Sequence, residues 1–452
     1  MKYDLVLYGD KVLIDGQLQA ATICVKGDKI EKIFLGMAEQ LKGQMKFVEK
    51  ENIVMPGLID PHVHINEPGR TEWEGFDTAT QAAAASGITT LVDMPLNSSP
   101  VTTSVANFEK KQQASEGKRH VNVGFWGGLV PDNADKIEDL LKAGVLGIKA
   151  FLTHSGIDEF PNITKEGLHK AMPVIAQYGV PLLVHCELDA PHDDLALLDE
   201  NPQSYQAYLQ SRPKVWEDDA ISLMLSLCKQ YNCPTHIVHL SSAQMLSEIK
   251  RTKKQGLPLT VETGQHYLYF DAEDIPDAKT AYKCAPPIRE KANNEKLWKA
   301  LESGLIDFVA TDHSPAPPAI KELESGDFKK AWGGIAGLQF ALPVLWTKAK
   351  ARDINVLKIY EWLSKNPAHF LNLQNRKGAI AEGFDADFFV WNPERSFVVK
   401  EENILHRHKV SPYLGETLFG VVAQTYVGGN LVFVDGGFVG LGLGAILLKP
   451  YK

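Results

Sequence analysis

The 452-residue chain is short of cysteine, of uninterrupted apolar runs and of like-charge blocks, and each shortage excludes something. Five cysteines, scattered from Cys24 to Cys284, are an odd number and too sparse for a disulfide framework. They read as reduced thiols of a cytoplasmic protein. Lys and Arg are dispersed and the formal net charge is −9, which argues against a nucleic-acid or anionic-membrane surface. The opening MKYDLVLYGDK breaks its apolar run at Asp4 and Asp10, so no signal-peptide core is expected. Residues 431–450 have the length of a membrane span, but their glycines and Asp435 make a poor spanning helix. A buried strand with a packed tail is expected there instead. No Gly-rich phosphate turn follows an early strand, and no G-x-S-x-G elbow is present. At 44% hydrophobic and 23% charged residues, the composition is that of an ordinary globular protein.

What is present falls into three textures. Residues 1–52 and 376–452, both β-rich but the latter only to 436 and ending in a tail, are punctuated by turn residues, and neither end has enough apolar strand to close a sheet alone. Packed together they would form one small β-sandwich; two independent ends is the other reading. Between them, residues 53–375 alternate apolar runs with helix-length segments. The runs are NIVMPGLIDPHVH, GITTLVDMP, VNVGFWGGLV, GVLGIKAFL, VPLLVHCE, PTHIVHLSS, LPLTVETGQHYL and LIDFVATDHS. Eight β/α units predict an α/β fold, a TIM (β/α)8 barrel whose working groups sit at the C-terminal strand ends.

Each run turns polar at its end. His62 and His64, two apart, share one face of the first strand and can grip one metal ion. His185 closes the fifth run, His239 the sixth and Asp312 the eighth. Any one could be a satisfied core residue, but together around one barrel mouth they suit Zn²⁺ and its neighbours. Lys149 stands inside VLGIKAFL, where an unpaired ammonium is costly. Its head either snorkels to the mouth or has reacted with CO₂ to give N6-carboxylysine, an anion able to bridge two metals. Two metals sharing a hydroxide would activate it and polarise a carbonyl, with Asp312 as the catalytic proton carrier. The chemistry implied is hydrolysis of an amide-like bond. His120, His169, His192, His369, His406 and His408 are expected in surface or capping roles.

GLIDPHVHINEPG, the buried Lys149, the two strand-end histidines, Asp312 and the closing GAIAEGFDADFFV resemble the amidohydrolase superfamily, and within it the cyclic amidases. The likeness covers essentially the whole chain. It implies a barrel with a terminal β-sandwich, a carboxylated lysine, and two divalent ions, usually zinc, with manganese, cobalt or iron in some members. Dihydroorotases place a carboxylate-binding Arg where this chain has Asn66, and hydantoinases an oxyanion-donating Tyr where it has His154. NEPGRTEWEGF, DMPLNS, KCAPPIR, TDHSPAPP, AWGGIAGLQ and RHKVSPYLG are instead similar to the allantoinases. That implies hydrolysis of the hydantoin ring of allantoin to allantoate in purine breakdown, by a homotetramer or dimer. By motif, backbone groups of Ala285 and Gly333 would hold the ring, with Asn66, Asn97, His154 and Ser314 as polar partners. Arg70 and Trp73 would belong to a lid or to a solvated loop. A cyclic-imide hydrolase of the hydantoinase/dihydropyrimidinase type is the enzymatic alternative, and a metal-free scaffold of the same fold the non-enzymatic one.

Overall fold

The computed structural model describes residues 2–190, 195–435, 437–439 and 444–449. Five strands come first: β1 (Lys2–Ile14), β2 (Gln17–Lys26), β3 (Lys29–Leu35), β4 (Lys42–Phe47) and β5 (Ile53–Pro56). Nine parallel segments follow: β6 (Leu58–Val63), β7 (Ile88–Asp93), β8 (Asn122–Phe125), β9 (Gly127–Gly128), β10 (Ile148–Phe151), β11 (Leu182–His185), β12 (Thr235–Ile237), β13 (Leu259–Gly264) and β14 (Phe308–Ala310). They correspond to the eight apolar runs, with Trp126 interrupting the third between β8 and β9. Almost every residue in them is buried, as expected of parallel strands covered on both faces.

Helices alternate with these strands, and their ends carry ordinary stop and start chemistry. In Lys165–Tyr178, for example, Thr164 accepts the Gly167 N–H at the start and left-handed Gly179 ends the last turn. Strands β9 to β14 pair in sequence order, as do β6 to β8. The Leu146 N–H donates to Phe125 O (2.9 Å) and the Gly127 N–H to Gly147 O (2.9 Å), which carries β10 alongside both halves of the interrupted run. At the other seam the His64 N–H donates to His313 O (2.8 Å) and Val63 bridges His313 in parallel. The order never doubles back, unlike that of a doubly wound sheet.

The last strands are β15 (Phe388–Val398), β16 (Thr417–Val427), β17 (Asn430–Val434), β18 (Gly437–Phe438) and β19 (Ile446–Leu447). β15 pairs antiparallel with β5, so both ends of the chain share one nine-stranded sheet, β18-β17-β16-β15-β5-β1-β2-β3 with β4 beside β1. They are not independent. β19 lies parallel to β8, so residues 444–449 pack as the expected tail, here against a strand of the parallel set. Among the described residues no helix is long and apolar enough to cross a membrane.

The GFDAD segment fastens the end sheet to the parallel strands. Asp387 accepts from Asn122 Nδ2 on β8 (3.0 Å), from the Gly428 N–H (2.8 Å) and from buried Lys377. Asp385 takes Lys29 (2.5 Å), Arg376 (2.7 Å) and Lys377 (2.9 Å). Burial pushes the Asp385 carboxyl up, but Lys377, Lys29 and Arg376 outweigh it and hold it at about 2.

Two outcomes follow from this junction. Asp387→Ala strips a buried ammonium of one partner and should cost about 3 kcal/mol, read as a lower denaturant midpoint; an unchanged midpoint would remove Asp387 from the junction. The folded carboxyl of Asp385 lies below its ordinary value, so its stabilisation is present above about pH 4 and is lost as the pH falls towards 2. Asp385→Asn should flatten that acid limb of the stability curve.

Candidate active site

The C-terminal ends of the parallel strands surround a cleft of about 600 Å³, lined by His62, His64, Lys149, His185, His239 and Asp312 among others. β6 and the residue after it supply His62 and His64. β10 supplies Lys149 and β11 His185, while His239 and Asp312 each stand two residues past their strand. Both of these last residues have left-handed backbones, φ 38° and 45°, and neither is glycine. Such strained turns are found where surrounding structure over-determines a functional position.

The tautomers follow from the partners. His64 Nδ1 lies 2.8 Å from Leu96 O, which can only accept, so Nδ1 carries the proton and Nε2 offers a lone pair. His62 Nδ1 donates to the buried Glu262 carboxylate, again leaving Nε2 to face the cleft. Asp312 Oδ1 then lies 3.1 Å from His62 Nε2 and 3.4 Å from His64 Nε2. The three groups converge closely enough to hold a cation.

The electrostatics ask for positive charge at that point. Burial alone would push the His62 imidazole down, yet the Asp312 and Glu262 carboxylates lift it to about 9. Burial works against the ionised Asp312, but the imidazoles of His62, His64 and His239 hold it well below the usual carboxylate range. A proton on His62 occupies the role that a metal ion would fill.

The opposite side of the cleft is under-partnered. His185 Nε2 donates to Glu187 (2.8 Å), which Arg212 also grips, so His185 Nδ1 presents a lone pair 3.0 Å from His239 Nε2. His239 Nδ1 and the Lys149 amine are both buried without a hydrogen-bond partner. Burial pulls Lys149 down to about 8 against the pull of Asp312 and Glu262. An amine wholly enclosed, with no hydrogen-bond partner and only the Phe151 ring beside it, is an incomplete group. Donors of this type and arrangement fit divalent metal ions.

Asn97, His154, Ala285, Ser314 and Gly333 line the same cleft. His154 is exposed, with its Nδ1 accepting from the Gly156 N–H (3.1 Å). Asn66 does not line the cleft: it is buried behind Asn97, donating to Pro315 O (3.3 Å). Arg70 donates to Asn97 O (2.6 Å), and Trp73 packs edge-on against the cleft residue Trp332, with ring centroids 4.9 Å apart.

Of the histidines assigned to surface or capping roles, His120 and His406 are instead buried. His120 pairs with Asp77 (2.9 Å), and His406 packs against His313 beneath the strand ends. Both are enclosed by segments distant in sequence, which local pattern cannot show. His192 lies outside the described residues.

Sequence reasoning missed Glu262 and Glu187. Glu262 takes His62 through one oxygen and His236 Nε2 through the other (3.1 Å), and also accepts the His239 N–H (3.3 Å). Opposite charges hold both acids far below ordinary values despite complete burial. The available signals were VETG, an acid near the end of an apolar strand, and HCE, an acid two residues after a candidate ligand.

Residues 53–432 match the amidohydrolase family. The chain belongs to the amidohydrolase family. Within this family it is 45% identical over 435 residues to the allantoinase of Streptomyces avermitilis, covering 96% of each chain. It is 44% identical over 445 residues to the allantoinase of Arabidopsis thaliana, covering 94% of this chain and 87% of that one. Among solved structures, the L-hydantoinase (dihydropyrimidinase) from Arthrobacter aurescens superposes with a TM-score of 0.92 at 28% identity, over 99% of this chain and all of that one. The allantoinase likeness of NEPGRTEWEGF and its companion strings is thus borne out at full length. Amidohydrolase membership implies a metal-dependent enzyme, and His62, His64 and Asp312 form a group able to bind the metal.

Glu262 should therefore govern metal retention. Glu262→Gln keeps the shape but weakens the grip on His62 and His236, and metal affinity should fall about 10–100-fold in a chelator competition. Parental affinity in the folded variant would show that Glu262 does not orient the ligands.

Proposed function

We propose that this chain is an allantoinase that opens the hydantoin ring of allantoin by hydrolysis of a ring amide, giving allantoate. The observation that carries this is the convergence of His62, His64, Lys149, His185, His239 and Asp312 on one cleft, in a chain 45% identical to an allantoinase over 96% of its length.

The reading extends to architecture. The eight strand runs form one closed (β/α)8 barrel over residues 53–375, and residues 1–52 with strands β15 to β18 form the β-sandwich, while the tail strand β19 lies on β8. The sequential strand order and the His64–His313 seam support closure. Lys149 is carried as N6-carboxylysine: its amine is enclosed without a hydrogen-bond partner, and burial pulls it down to about 8, which raises the share of the neutral amine that adds CO₂. The carbamate of Lys149, with His62, His64 and Asp312 on one side of it and His185 and His239 on the other, would hold two divalent ions. Zinc suits these donors best, and manganese, cobalt or iron are accommodated by the same set.

When bound, the two ions would supply an activated water as nucleophile and polarise the carbonyl it attacks. The chain's residues do the rest. Asp312, kept ionised, accepts the proton of the attacking water and returns it to the departing ring nitrogen. Leu96 O and Glu262 fix the ring planes of His64 and His62, so neither imidazole has to reorient during turnover. Allantoin is neutral, and the side chain in the place of the dihydroorotase arginine is Asn66 rather than a cation. Asn97, His154 and Ser314 with the backbones of Ala285 and Gly333 offer the hydrogen bonds a neutral ring requires. The enzyme works in the cytoplasm as a homotetramer or dimer.

A hydantoinase-type activity on other cyclic imides is the second reading, favoured by the superposition on L-hydantoinase. Initial rates of metal-loaded protein prepared with bicarbonate, on allantoin, hydantoin, dihydrouracil and dihydroorotate, separate the two. Strong turnover of allantoin alone is expected, with Lys149→Ala reducing it by about 10³-fold or more, the loss of several kcal/mol of metal-centred stabilisation. Turnover of hydantoin or dihydrouracil with little on allantoin would overturn the substrate assignment and leave the mechanism standing.

A further inference from the structure

Two backbone amides on the cleft wall are backed by buried side chains. The peptide that carries the Gly333 N–H has its carbonyl, Trp332 O, held by Lys321 Nζ at 2.9 Å. The peptide that carries the Ala285 N–H has its carbonyl, Cys284 O, held by the Tyr208 hydroxyl at 2.6 Å. Lys321 uses its other two hydrogens on Gly334 O (2.8 Å) and Lys283 O (3.2 Å), and Lys283 O also accepts the Gly334 N–H (2.9 Å). One ammonium thereby locks the 283–285 segment to the 332–334 segment.

This ammonium is an expensive choice for a mere spacer. Lys321 is 3% exposed and makes no ion pair among the described residues; burial pulls it down to about 7, but its three carbonyl acceptors call for three N–H donors, which only the ammonium has. A buried cation without a carboxylate is costly, and neutral groups could have tied two loops together. A cation on a carbonyl oxygen, unlike a neutral spacer, draws electron density through the amide and strengthens the N–H on its far side as a donor. Tyr208 does the same more weakly, its ring fixed by stacking on Phe328 at 5.8 Å and by Lys283 Nζ 5.3 Å above it. Gly333, Ala285 and Tyr208 all line the cleft. At Gly333 the space where a Cβ would stand is open, with Ala285 as the nearest neighbour at 3.9 Å.

We propose that Lys321 and Tyr208 are positioning residues that fix and polarise the Gly333 and Ala285 N–H groups as donors to the oxygens of the cyclic-amide substrate. The inference rests on the cyclic-amidase reading of the cleft. It makes the substrate wall a pair of tuned backbone donors, suited to a neutral, carbonyl-rich ring, with the charge placed behind the wall and out of the substrate's reach.

The test uses metal-loaded full-length protein and the variants Tyr208→Phe, Lys321→Met and Lys321→Arg. Steady-state kinetics on allantoin are run beside metal content per chain and thermal midpoint. Tyr208→Phe should raise KM about five- to tenfold and Lys321→Met about tenfold or more, with metal content unchanged and kcat falling less than KM rises. Lys321→Arg, which keeps the charge, should recover part of the loss. Parental KM in folded Tyr208→Phe and Lys321→Met would overturn the proposal, and so would a KM rise that tracks metal loss. If Lys321→Met fails to fold, Tyr208→Phe and Lys321→Arg decide: a raised KM in the first with a smaller rise in the second supports it, and parental KM in both overturns it. A parent silent on allantoin but active on hydantoin sinks the substrate assignment alone, and the same KM comparison on hydantoin then decides the role of these two residues.

Discussion

The buried carboxylate of Glu262 is the joint on which the centre depends. It sits on β13 between His62 of β6 and His236 of β12 and also receives the His239 N–H, so one acid fixes elements at both sides of the cleft. Its burial is tolerable because both of its oxygens meet donors, three in all. That network forces Nε2 of His62 towards Asp312 and sets up the demand for a cation between them. The strained turns at His239 and Asp312 belong to the same constraint, since each must leave its strand abruptly to face that point.

Around this joint the protein separates two kinds of polar work. The floor concentrates charge: ionised Asp312, the imidazoles, and a lysine whose amine has no partner. The wall is backbone, offered at Ala285 and Gly333 and supported from behind by Tyr208 and Lys321. A neutral ring with several carbonyls needs directed donors more than it needs a counter-ion, and rigid amides supply direction without the entropy cost of mobile side chains. The end sheet stands apart from this chemistry, pinned by Asp385 and Asp387 to β3, β8 and the segment before β15.

Much of this was legible in the chain itself. Period and run length placed eight strands, and the polar residue at each strand end identified His62, His64, His185, His239 and Asp312. Lys149 stood out because a lone ammonium in IKAF contradicts the apolar run around it. Asn66 was legible only as an absence: it marks the missing arginine, while its own side chain turned out to face Pro315. His120 and His406 were misplaced because the segments that bury them are remote in sequence.

The sequence by itself determined the order of strands, the donors at their ends and the family to which they belong, because local pattern and short motifs carry that information. Only the tertiary structure decided which carboxylate orients which imidazole, and which side chain stands behind which amide. Glu262 and His62 are 200 residues apart, and Lys321 meets Lys283 across 38. Their partnership depends on strand register and on loops folded over one another, and neither leaves a mark in the local run of residues.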